Sequence, residues 1–164
     1  MNALSGLQKS CQFNILQDHV GLISVAHQAV LRLSSFSNMV DMKTTHTSLP
    51  FAGHTLHFVE FDPASFREQD LLWLPHYAQL QHAGRKRKTE HLAGRIAAIY
   101  ALREYGYKCV PAIGELRQPV WPAGVYGSIS HCGTTALAVV SRQPIGIDIE
   151  EIFSAQTCLL YTSP

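Results

Sequence analysis

From Pro50 onward the apolar and polar positions fall into two rhythms, one short and one helical. Thr55-Leu-His-Phe-Val-Glu-Phe61 reads as a strand, closed by the turn-forming pair Asp62-Pro63. Leu71-Leu-Trp-Leu74 is apolar without a decisive period, and a helix start is expected near Pro75. A longer helix is predicted from Arg85 to Tyr105, with Gly106 as its stop. Within it Leu92, Ile96, Ile99 and Arg103 follow helical spacing, and the first three should pack on a sheet. Lys88, His91 and Arg95, offset by three and seven, line another face.

A loop marked by proline and glycine, Pro111 to Pro122, precedes three predicted strands: Val125–Ser130, Ala136–Ser141 and Ile145–Glu150. Gly133 and Arg142-Gln-Pro144 mark the turns between them. As an antiparallel meander, the first and third strands would run the same way. Their ends would then bring Ser130 and His131 to the same rim as Asp148 and Glu150.

Residues 15–33 are rich in Ile, Leu and Val but are interrupted by His19, His27 and Gln28, and no apolar run is long enough to cross a bilayer. A secretory signal fits poorly, for want of a basic start and a cleavage site. An interfacial helix is one reading, and an upstream extension the favoured one. At 164 residues, 46% hydrophobic and 15% charged, the chain suits one folded domain rather than disorder. A formal net charge of +1 argues against wholesale nucleic-acid binding. Four scattered cysteines (Cys11, Cys109, Cys132, Cys158) form no CxxC pair, which suits a reducing cytosol.

Candidate chemistry collects in three places. Asp148 and Glu150 share a strand face at about 7 Å between Cα atoms, so both can reach one hard cation such as magnesium. An exposed strand face carrying two acids is the plainer alternative. Gly127-Ser-Ile-Ser-His-Cys132 offers hydroxyls and an imidazole for phosphate, or a strand end satisfied by its own backbone. Arg85-Lys-Arg-Lys88, continued to Arg95, is either an anion-binding face or a solvated helix. Cys132 next to His131 makes a poor nucleophile pair, because adjacent strand residues face opposite ways.

Four motifs stand in order: Arg87-Lys-Thr-Glu-His-Leu-Ala-Gly-Arg95, Gly114-Glu-Leu-Arg-Gln-Pro119, Gly127-Ser-Ile-Ser-His131 and Ile145-Gly-Ile-Asp-Ile-Glu150. Together they resemble the Sfp-type 4'-phosphopantetheinyl transferases, over about Met39 to Thr157. The resemblance implies an α+β fold, the first α/β half of a pseudo-symmetric pair with most of the second half missing. It implies three segments: an N-terminal extension 1–38 of doubtful status, an incomplete transferase domain 39–157, and a tail 158–164 foreign to the family. It further implies a magnesium-dependent enzyme that moves the phosphopantetheine arm of coenzyme A to a serine of an apo-carrier protein. Asp148 and Glu150 would hold the Mg2+, while Arg87, Arg95, Ser130 and His131 would grip the phosphates of coenzyme A. Lys88 would be a helper, as would Ser128, and Arg117 would stand in for a family lysine replaced here by Ile113.

The implied partners are coenzyme A as substrate and the apo-carriers of a non-ribosomal peptide or siderophore synthase, with no nucleic acid, in a cytoplasmic monomer that could sit with its synthase against the membrane. The family's Phe/Trp-Ser-x-Lys-Glu-Ala-x-x-Lys motif, source of a third metal ligand and general base, has no counterpart here. No catalytic residue is therefore assigned, and the chain as written is expected to fold poorly and to be inactive. A non-catalytic fragment that binds coenzyme A or a carrier is the alternative, and a basic nucleic-acid binder a distant third.

Overall fold

A computed structural model describes residues 40–152 and the strand segments 10–15 and 19–24, with side chains described for 40–149. Nine strands occur among them: β1 (Ser10–Ile15), β2 (His19–Ser24), β3 (Thr44–Phe51), β4 (His54–Phe61), β5 (Ala112–Ile113), β6 (Pro119–Val120), β7 (Tyr126–Cys132), β8 (Thr135–Ser141) and β9 (Ile147–Ile152). One α-helix, α1 (Arg85–Arg103), stands between β4 and β5. The architecture is α+β.

The central sheet has the order β3-β4-β8-β7, every neighbour antiparallel. Its two faces are sorted by strand alternation. Val59, Phe61, Ala136 and Ala138 face α1 and join Leu92, Ala93, Ile96 and Ala97 in the larger core. Leu56, Phe58, Leu137 and Val139 face the other way and pack with Ile147 and Ile149 of β9. Strand β8 is buried along its whole length because both faces are covered.

Helix α1 presents a run of small residues to the sheet, which lets the backbones approach closely. A Cβ placed on Gly94 would lie 2.8 Å from Ile129 Cγ2 on β7. The helix ends as its sequence implies, with Gly106 at φ +84° shortly beyond it.

Two expectations are corrected. Near Pro75 only the short 3-10 turn Tyr77–Leu80 forms, preceded by another at Glu68–Trp73. Nor do β7, β8 and β9 make a meander: β7 and β8 pair, but β9 leaves the sheet and pairs with β1 in a second sheet of order β2-β1-β9. The physical reason lies in β4, which already occupies the free edge of β8. Within 15–33, residues 19–24 form strand β2 and not part of an interfacial helix. The tail 158–164 lies outside the described residues.

Strand β3 was not evident from the sequence, because His46, Thr45 and Thr47 blur its alternation and Pro50 lies inside it. A proline is tolerated there since β3 is an edge strand.

Candidate functional site

Although β9 is not laddered to β7, it runs beside it in the same direction, fastened by serine side chains. Ser128 Oγ accepts the backbone N–H of Ile147 at 3.1 Å, and Ser130 Oγ accepts that of Ile149 at 3.2 Å. The Ser130 hydroxyl donates to Asp148 Oδ1 at 3.2 Å. Ser130 and Asp148 are thus brought together, by side-chain stitches rather than by a shared ladder.

Asp148 is exposed, with Glu150 two positions along the same strand; the Glu150 side chain lies outside the described residues. Among the described residues no three His, Cys, Asp or Glu side chains converge as a metal site. A carboxylate beside a hydroxyl, with a second carboxylate in strand register, is nevertheless an all-oxygen set that suits a hard dication.

On the opposite face of β7, His131 turns toward α1. It lines a cavity of about 540 Å³ together with Arg87, His91, Arg95 and Arg117. Its Nδ1 lies 3.8 Å from Glu90 Oε2, and Ile129, also on this face, helps floor the cavity. Arg95 is buried at 5% exposure and pinned by two carbonyls: Nε donates to Pro111 O at 2.8 Å and Nη2 to Ala112 O at 3.1 Å. Burial lowers its pKa to about 10, so it stays cationic at neutral pH. Arg87 is exposed at the mouth and also lines the adjoining cavity beside Gly114 and Glu115.

The sequence-predicted residues therefore divide. Arg87, Arg95 and His131 meet in one basic cavity, while Ser130 meets Asp148 on the other face of β7. Lys88 does not join the cavity. Its Nζ is 2.8 Å from Glu68 Oε1, an ion pair between a largely buried lysine side chain and an exposed glutamate. Arg117, the proposed substitute for a lysine, lines both cavities. Its backbone is left-handed, at φ +66°, in the tight Gly114–Gln118 turn. Cys132 lies on the side of β7 away from His131, packed against the Leu56–Phe58 cluster.

Sequence reasoning passed over His76. This residue is buried, and its Nε2 lies 2.9 Å from His91 Nε2, behind the cavity. A separation of fifteen residues across a turn carries no periodic signal that could have paired them.

A helix and a strand that together wall a basic cavity, beside a carboxylate strand, define a class. Residues 76–141 match the 4'-phosphopantetheinyl transferase N-terminal domain, and the chain belongs to the 4'-phosphopantetheinyl transferase family. Over 116 residues it is 96% identical to enterobactin synthase component D of Escherichia coli (strain K12), covering 71% of this chain and 56% of that protein. Its identity to the protein of the same name from Salmonella typhimurium is 68% over 116 residues, covering 71% and 50%. The 4'-phosphopantetheinyl transferase PptT of Mycobacterium tuberculosis is 37% identical over 70 residues, covering 40% of this chain and 31% of its own. The chain spans about half the length of the enterobactin synthase relatives it matches. No helix among the described residues is long and apolar enough to cross a membrane.

Proposed function

We propose that this chain carries the coenzyme-A-holding part of a 4'-phosphopantetheinyl transferase of enterobactin synthesis. The observation that carries the reading is the meeting of Arg87, Arg95, Arg117 and His131 around one cavity. Coenzyme A presents a pyrophosphate and a 3'-phosphate, and planar guanidinium groups pair with phosphate oxygens two at a time.

In the reaction, the serine hydroxyl of an apo-carrier attacks the phosphorus that bears the pantetheine arm. The bond from that phosphorus to the bridging oxygen breaks, and adenosine 3',5'-bisphosphate leaves with the electron pair. Arg95, fixed by its two carbonyls, and Arg87 at the mouth hold the nucleotide phosphates, so their contribution is positioning. Asp148 and Glu150 would hold Mg2+, whose charge, when bound, offsets that on the pyrophosphate. Ser130 keeps the Asp148 carboxylate in place. The serine proton needs an acceptor, and the family's Lys-Glu motif that provides one has no counterpart in these 164 residues.

Residues 1–164 should accordingly bind coenzyme A without turning it over. The test is to incubate the chain with coenzyme A, Mg2+ and an apo-carrier from a siderophore synthase, and to weigh the carrier by mass spectrometry. An unmodified carrier, with coenzyme A binding demonstrated separately, is expected. A phosphopantetheinylated carrier would show that the chain is active by itself, and an absence of coenzyme A binding would remove the reading.

A further inference from the structure

The His76–His91 pair behind the cavity has a proton arrangement that its surroundings fix. His76 is 7% exposed, its Nε2 lies 2.9 Å from His91 Nε2, and its Nδ1 has no hydrogen-bond partner. The rings meet edge to face, at 80° between planes. Only one proton can lie between the two Nε2 atoms.

If His91 supplied it, neutral His76 would carry its own proton on Nδ1, as a buried N–H with nothing to donate to. If His76 supplies it, Nδ1 is left only as an unused acceptor. Orphaned buried N–H groups are the rarer and costlier of the two. The second arrangement prevails, and neutral His91 must then carry its proton on Nδ1. Neither ring takes a second proton near neutrality. Burial first, then the charges of Arg95, His76, Arg87 and His131, hold His91 down to about 3. Burial first, then Arg95, lowers His76 as well.

His91 lines the cavity between Arg87 and Arg95, one helical turn from each. With Nε2 committed to His76, Nδ1 is its remaining polar atom, and no hydrogen bond from it occurs among the described residues. An anion entering the cavity would thus meet an N–H, where the other tautomer would offer a repelling lone pair.

We propose that His91 is a neutral hydrogen-bond donor to a phosphate group held by Arg87 and Arg95, and that His76 is the positioning residue that sets its tautomer. This rests on the cavity being the phosphate site of coenzyme A.

The test combines calorimetric titration of the full chain with adenosine 3',5'-bisphosphate and long-range proton–nitrogen NMR of the free chain. His91→Leu should weaken binding about tenfold or more, since a bond to a charged acceptor is lost. His91→Asn places an amide N–H where Nδ1–H stands and should stay within about threefold of the parent. Equal affinity of His91→Leu and the parent, or no rescue by Asn, overturns the proposal. In the spectra, His91 should be protonated on Nδ1 and His76 on Nε2, and the reverse pattern overturns it whether or not a variant folds. Failure of the parent chain to bind the nucleotide would overturn both the phosphate-site reading and the donor role built on it. Binding by the parent with the His91 outcomes contradicted would overturn the donor role alone.

Discussion

Ser130 donates its hydroxyl hydrogen to Asp148 Oδ1 at 3.2 Å while accepting the backbone N–H of Ile149. One side chain therefore both fastens β9 to β7 and orients the acid nearest the phosphate motif. Ser130→Ala should lower stability by about 1 kcal/mol, the usual net worth of a lost hydrogen bond, with an unchanged m-value in urea. Asp148→Asn, at an exposed position, should leave stability almost unchanged. It should abolish any strengthening of coenzyme A binding by Mg2+, measured by titration with and without the ion.

Gly94 allows α1 to lie directly on β7. Because an added Cβ would meet Ile129 Cγ2 at 2.8 Å, Gly94→Ala should destabilise by about 1–3 kcal/mol despite alanine's better helix propensity. Urea unfolding of the variant checks this. A stabilised Gly94→Ala protein would contradict the close packing described.

Arg87 and Lys88 are neighbours with opposite fates, and paired alanine variants separate them. Arg87→Ala should weaken coenzyme A binding roughly ten- to a hundredfold with little loss of stability, because its side chain is exposed. Lys88→Ala should leave the affinity near that of the parent, because its ammonium is paired with Glu68 outside the cavity. Titration calorimetry of both variants distinguishes them.

Buried imidazoles give the fold an acid-sensitive core. His46 Nε2 and His57 Nδ1 share a 2.8 Å hydrogen bond, and His46 stacks on Tyr100 at 3.8 Å between centroids. His57 Nε2 lies 3.2 Å from Glu104 Oε2 without hydrogen-bond alignment. Burial, helped at His46 by the charge of His57, lowers both from 6.5 to about 4. The unfolded chain therefore takes up protons first. Their stabilising effect is complete above 6.5, declines as pH falls toward about 4, and is level below. The loss should be on the order of 3 kcal/mol for each ring. Glu104 opposes it in part, because burial raises its carboxyl pKa and the folded state holds that proton more tightly. Urea midpoints measured between about pH 7 and about pH 4 should fall on acidification, whereas a flat or rising profile would contradict the buried neutral pair.

How much of this was legible in the sequence depended on how local the signal was. Helix α1, strand β4 and the β7–β8 hairpin could be read because period, glycine stops and turns are encoded within a few residues. The buried faces of Ile147 and Ile149 followed from alternation alone. Which strand takes the second edge of β8 is a long-range matter, so β4 displaced β9 from the expected meander without any local sign. Helical spacing placed Lys88 with Arg95, but Glu68, outside the helix, decided where the ammonium went. The His76–His91 and His46–His57 contacts likewise arise from tertiary packing.

The most direct measurement titrates residues 1–164 with coenzyme A and, separately, with pantetheine, which lacks the nucleotide and all its phosphates. A cavity built around Arg87, Arg95 and His131 predicts saturable binding of coenzyme A, weakened by salt, and little or none of pantetheine. Equal affinity for the two, or no binding of coenzyme A by the folded chain, would contradict it.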